Sequence, residues 1–173
     1  MNTLKITKAT LNDLVKLQNI GRQTFSETFA EVNSEENMAK YLEESFAAEK
    51  LTSELKNESS YFYLAEIDEK LIGYLKLNTG EAQTEKQDKN ALEIERIYVA
   101  KEFHGKNIGQ ELYTRALKTA TELNASYIWL GVWEKNFRAL SFYTKNGFVQ
   151  FDTHTFVLGN DTQTDFLMKK DLA

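Results

Sequence analysis

The chain has 173 residues, 42% hydrophobic and 12% aromatic, which is the size of a single domain (1–173) able to bury a substantial core. It contains no cysteine and no proline, and its only histidines are His104 and His154; thiolate nucleophiles, disulfides and Cys-based zinc sites are excluded, and a metal-free protein is expected. A net charge of −5, from 26 acidic and 21 basic residues, offers no phosphate-neutralising surface, so nucleic acid is not an expected partner.

Along the chain, Leu4 to Lys8 alternate as a short strand. Thr10 then opens a helix, with Asp13 three residues later forming a capping pair and Leu11, Leu14, Val15, Leu17 and Ile20 on one stripe. Asn33 with Glu36 repeats the start signal, and the polar stretch to Asn57 carries apolar residues at helical intervals, predicting two short helices. Tyr61 to Ile67 and Lys70 to Leu77, separated by Asp68-Glu69, predict a hairpin. Residues 78–90 read as a loop, 91–99 as a strand, 107–124 as a helix and 127–133 as a buried strand. A helix over 137–145, stopped by Asn146-Gly147, precedes two strands near 148–158 and 164–170. The strand-helix-strand succession in the middle implies a local parallel pair within a mostly antiparallel sheet. The N-terminus lacks an apolar run behind its basic residues, and no stretch of about 18 apolar residues occurs, so a cytoplasmic protein away from membranes is expected.

Three segments carry chemistry. In LEIERIYV (92–99), Leu92 and Ile94 put the apolar face on even positions, whereas Ile97 and Val99 put it on odd ones. Either a β-bulge near Glu95-Arg96 or a local twist explains the change of phase; a bulge would leave backbone groups unpaired for an amide-rich ligand to dock against. FHGKNIGQ (103–110) is a strand-to-helix turn with Gly105 and Gly109, where free amides at a helix start make an anion site. It matches neither the P-loop nor the dinucleotide fingerprint. In WEKNFRALSFYTKNGF (133–148), Asn136, Ala139 and Tyr143 share one helix face, and a small residue between two polar ones leaves room for something to lie along the helix.

Together these segments resemble the GNAT superfamily of acyl-CoA-dependent N-acetyltransferases over essentially the whole chain. The family's Q/R-x-x-G-x-G/A turn is represented by His104-Gly105-Lys106-Asn107-Ile108-Gly109, with His and Asn as departures, and its N-x-x-A-x-x-x-Y helix is matched by Asn136, Ala139 and Tyr143. LEIERIYV, IWLGVWEKN, FYTKNGF and QTDFLM further resemble the PaiA-type acetyltransferases of Gram-positive bacteria, which act on polyamines. The resemblance implies an α/β (α+β) fold: a mixed, mostly antiparallel sheet of six to seven strands with four to five helices, its bulged fourth strand splayed from the fifth. It implies acetyl-CoA as co-substrate, held by Ile97, Tyr98 and Val99 along the strand, by His104, Gly105, Lys106, Asn107, Ile108, Gly109 and Gln110 in the turn, and by Asn136, Ala139, Tyr143 and Lys145 on the helix. Direct transfer to a primary amine such as spermidine or spermine would use Glu95 as base, with Glu93 as fallback, and Tyr143 as acid to the departing thiolate.

The charge distribution suits a polycationic acceptor: between Glu27 and Glu58 lie nine glutamates against three lysines. Phe25, Glu27, Glu31, Tyr41 and Glu93 are the candidates for its binding. Alternative readings are a protein N-terminal or other small-amine acetyltransferase and a non-catalytic acetyl-CoA-binding regulator, as monomer or homodimer.

Overall fold

The computed structural model describes residues 3–85 and 87–172. Residues 1, 2, 86 and 173, which fall in the N-terminal segment, the loop expected over 78–90 and the C-terminus, lie outside the described residues. Strand β1 (Leu4–Lys8) leads through a short 3-10 turn into helix α1 (Leu14–Phe29), followed by α2 (Glu35–Ser45) and α3 (Ala48–Lys56). The hairpin β2 (Ser60–Ile67) and β3 (Lys70–Asn78) precedes β4 (Ala91–Val99), α4 (Ile108–Glu122), β5 (Tyr127–Trp133) and α5 (Phe137–Lys145). Strands β6 (Val149–Leu158) and β7 (Asp161–Asp171) complete the chain.

Local chemistry explains most boundaries. The Thr10–Asp13 capping box forms, with the Asp13 carboxylate accepting from the Thr10 amide at 2.9 Å, yet it caps the 3-10 turn rather than α1 itself. The start of α2 falls one residue later than the Asn33–Glu36 pattern predicts: Ser34 is the cap, its hydroxyl accepting from the Asn37 amide at 3.1 Å. Asn33 is occupied elsewhere, donating its side-chain amide to the Phe29 carbonyl. In the β2–β3 turn, Asp68 and Glu69 both take positive φ (51° and 65°), the twist that a two-residue hairpin demands.

The seven strands form one sheet in the order β1-β2-β3-β4-β5-β7-β6. All neighbours are antiparallel except β4 and β5, which are parallel. One face packs on α4 and α5 through Leu92, Ile94, Leu112, Ala116, Ile128, Leu130 and Phe148. The opposite face is covered by α1 to α3 through Leu17, Ile20, Phe25, Leu51, Leu64 and Tyr74. Each fully buried Leu or Ile contributes about 1.5–3 kcal/mol of transfer free energy, so both layers anchor the strands between them.

Two irregularities create the site. In the β3–β4 register Lys76 lies opposite Arg96 and Leu77 opposite Ile94, so Glu95 is the extra, unopposed residue. The hydrophobic phase change therefore marks a bulge and not a twist. Beyond it, β4 pairs with β5 over only Ala91–Glu93 against Tyr127–Trp129; from Ile94 to Val99 the side of β4 toward β5 has no strand partner. The bulge bends β4 away, and a cleft opens between the two parallel strands.

Candidate active site

A cavity of about 830 Å³ runs through this cleft from one face of the sheet to the other. On the α4/α5 side it is lined by Ile97, Val99, Gly105, Asn107, Gly109, Gln110, Asn136, Ala139, Tyr143 and Lys145. Asn107 caps α4 in the left-handed region (φ 67°) with no side-chain cap bond, the conformation Asn tolerates best after glycine. The first-turn amides of α4 thus have neither an intrahelical acceptor nor a side-chain cap. Gly105 has φ +80° with nothing within 4 Å of where a Cβ would stand, and at Gly109 a Cβ would meet only Phe142, at 3.8 Å. With no side chain at either glycine, the turn is open to a ligand approaching its backbone.

His104, the departure from the family's turn pattern, ties the cradle to the strand. Its Nε2–H donates to the Val99 carbonyl at 2.8 Å, while Nδ1 accepts from the Arg138 guanidinium. The Val99 carbonyl, expected to meet the coenzyme, is therefore already engaged by the protein. Arg138, on the first turn of α5, also lines the cavity and escapes sequence reading because nothing in the motif calls for a base there. Asn136 is the N-cap of α5, its Oδ1 accepting from the Ala139 amide at 3.2 Å. Tyr143 is 7% exposed, enclosed by Phe142 and Phe148, and burial pushes its hydroxyl well above the usual tyrosine range. Lys106 is not among the cavity-lining residues; its ammonium sits 5.2 Å over the Phe103 ring instead.

The α1–α3 side of the cavity has the opposite charge character. Glu93 is 3% exposed and accepts from Asn78 at 2.9 Å, from the Thr84 amide at 2.8 Å and from the Thr84 hydroxyl; burial nonetheless raises its carboxyl above the usual range. Glu95, at the bulge, accepts from Lys76 and Asn78, each at 2.8 Å, and pairs with Arg96 at 3.2 Å. Burial opposes the charged form, but the cations prevail and hold this carboxyl down at about 2. Glu54 completes the network, 2.6 Å from Lys76. A carboxylate so stabilised is a weak proton acceptor, and its bonds to Lys76 and Asn78 tie the bulged residue to β3. Sequence reading missed Lys76, because a lysine in a strand reads as surface, whereas this one is buried.

Of the candidate acceptor contacts, Phe25 and Tyr41 stack at 4.2 Å between centroids and line the cavity. Glu27 lines it too, but its carboxylate accepts from the Lys101 amide at 3.0 Å and ties α1 to the end of β4. Glu31 is exposed in the turn after α1 and does not reach the cavity. The loop expected over 78–90 folds over this face, Gln83 accepting from the Trp129 indole (2.7 Å) and Thr84 donating to Glu93, contacts that its polar sequence does not reveal. Among the described residues, no three His, Asp or Glu side chains are arranged to hold a metal ion, and no helix is long and apolar enough to cross a membrane.

Residues 21–148 match the family model described as Acetyltransferase (GNAT) family. The chain belongs to the GNAT acetyltransferases. It is 44% identical over its full length to the whole of an uncharacterized N-acetyltransferase in the pepI 3′ region of Lactobacillus delbrueckii subsp. lactis. It is 30% identical to the spermidine N(1)-acetyltransferase of Thermoplasma acidophilum, with 97% of each chain covered. The crystal structure of PaiA N-acetyltransferase from Thermoplasma acidophilum in complex with coenzyme A superposes with a TM-score of 0.83 at 30% identity, covering 98% of this chain and 99% of that one. This GNAT protein is accordingly an acetyl-CoA-dependent N-acetyltransferase.

Proposed function

We propose that the acceptor is a primary amine carrying further positive charges, a polyamine such as spermidine or spermine. The observation that carries this reading is the division of charge within one cavity. Lys101, Arg138 and Lys145 line the cradle side, whereas Glu27, Glu85, Glu93, Glu95 and Asp165 line the far side against Lys50 and Arg96, the latter tied to Glu95. The cationic end suits the phosphates of a coenzyme and the anionic end a polyammonium chain. The kinship with a spermidine N(1)-acetyltransferase supports the same class of substrate.

When bound, acetyl-CoA supplies a thioester, an acetyl group activated toward amines. The first-turn amides of α4 take the anionic diphosphate, with Arg138 beside them, and the unpartnered edge of β4 from Ile97 to Val99 receives an extended amide-bearing arm. In this reading a backbone amide at Val99 or its neighbour donates to the developing oxyanion. Tyr143, kept protonated by burial, gives its proton to the departing sulfur. Phe25 and Tyr41 provide aromatic faces for ammonium groups.

The test is thiol release from acetyl-CoA with spermidine, spermine, putrescine, lysine and peptides as acceptors. The highest kcat/KM is expected with the tri- and tetra-amines. A preference for peptides would move the protein to the N-terminal acetyltransferases, and saturable coenzyme binding without turnover of any amine would make it a regulator.

A further inference from the structure

A second polar cluster stands on the acceptor face, apart from the Glu54–Lys76–Glu95–Arg96 network. It joins residues far apart in sequence: Glu85 from the loop after β3, His154 from β6 and Asp165 from β7. His154 Nδ1 lies 2.6 Å from Glu85 Oε2. A carboxylate at that distance accepts the Nδ1 proton, which leaves Nε2 as the lone-pair nitrogen of the neutral ring. Asp165, directly opposite His154 in the β6–β7 register, has its Oδ2 3.7 Å from Nε2, beyond hydrogen-bonding reach. Thus the basic nitrogen is held in orientation from one side and left unbonded on the other.

Gly131 shows where the ring points. This glycine sits in the middle of β5, two residues past the last β4–β5 pair, at the rim of the cleft. It is exposed and has no positive φ, so the backbone conformation does not require glycine there. A Cβ at this position would lie 3.6 Å from Asp165 Oδ2 and 4.0 Å from His154 Cε1. The missing side chain leaves the cluster uncovered from the cleft, and Gly131, His154 and Asp165 all line the cavity that contains Tyr143. The two glutamates of β4 are less suited to take a proton: both oxygens of Glu93 and both of Glu95 are already met by donors.

We infer that His154 is the proton acceptor for the amine substrate, with Glu85 as a positioning residue for its ring and Asp165 flanking the imidazolium that forms. The inference rests on the reading of this cavity as the site of amine acetylation. One proton passes from the substrate ammonium to Nε2, and the freed lone pair forms the N–C bond. As the C–S bond breaks, the thiolate takes the Tyr143 proton, the nitrogen's second proton restores the phenol through solvent, and His154 releases its proton to water. The sum is one ammonium and one thioester giving one amide, one thiol and one proton. Glu85 and Asp165 face the ring, Asp152 lies on the same strand, and Glu93, Glu95 and Arg96 from β4, Glu27 from α1 and Lys50 from α3 line the cavity, so carboxylates outnumber cations around the imidazolium.

The experiment compares kcat/KM for a triamine between wild type and His154→Gln from pH 6 to pH 10, with coenzyme A affinity measured by calorimetry. At pH 7 the variant is expected to lose about 10²–10³-fold. The deficit should shrink about tenfold per pH unit as the amine, with a pKa of about 10.4, deprotonates unaided. Coenzyme A affinity should be unchanged, added imidazole should restore part of the activity of His154→Ala, and Glu85→Gln should show a smaller loss with the same pH trend. A deficit that is the same at every pH and is not rescued by imidazole would assign His154 a structural role; full activity at pH 7 would remove it from the reaction. In either case turnover by wild type leaves the acetyltransferase reading intact, whereas a wild type that binds coenzyme A but acetylates no amine overturns both.

Discussion

Replacing Glu95 by Gln tests whether this carboxylate is a structural anion or a base. Its carboxyl is lowered from 4.5 to about 2, which at about 1.4 kcal/mol per pH unit corresponds to about 3 kcal/mol of folding stability. The side chain is 17% exposed, so solvent screening takes little from that figure. The folded-state value lies below the unfolded one, so the contribution is complete above about pH 4.5 and is lost as pH falls toward about 2. Glu95→Gln also leaves Lys76 and Arg96 sharing Glu54 alone, and an undercompensated buried charge costs about 3–5 kcal/mol when one partner is removed. Urea unfolding at pH 7 should show the variant about 3 kcal/mol less stable, and the gap should narrow as the titration moves from pH 5 toward pH 3. Equal midpoints at pH 7, or a gap that does not change with pH, would refute the role of Glu95 as the anion that pins the bulge.

Two further substitutions separate the parts of the site. Tyr143→Phe keeps the packing against Phe142 and Phe148 and removes the proton donor, so turnover should fall by about 10²-fold or more with nearly unchanged coenzyme A affinity; thiol-release kinetics and calorimetry on one preparation check both. Asn136→Ala removes the α5 cap bond and should cost about 1 kcal/mol in urea unfolding, accompanied by weaker coenzyme binding because α5 forms one wall of the cavity.

The features legible in the sequence are those in which neighbours along the chain act on each other. The phase change in hydrophobic alternation marked an irregularity near Glu95-Arg96, since one extra residue must flip every later side chain, and the strand register made it a bulge at Glu95. The Asn-Gly stop, the hairpin turn and the N-x-x-A-x-x-x-Y face are likewise set within a few residues. Some boundaries moved: Ser34 caps α2 in place of Asn33, α1 begins at Leu14 behind a 3-10 turn, and the last strand begins at Asp161 rather than at 164.

What tertiary structure alone decided is who meets whom across the sheet. Lys76 and Asn78 become the partners of Glu95 because β3 lies beside β4 at that register, and the buried cations Lys76 and Arg96 hold its carboxyl low. Glu85, His154 and Asp165 converge because β7 inserts between β5 and β6 while the loop after β3 folds over that face. The absence of cysteine told from the outset that transfer proceeds without an enzyme thiol. Which side chain takes the proton depends on desolvation and on neighbours tens of residues away, and those exist only once the strands are ordered.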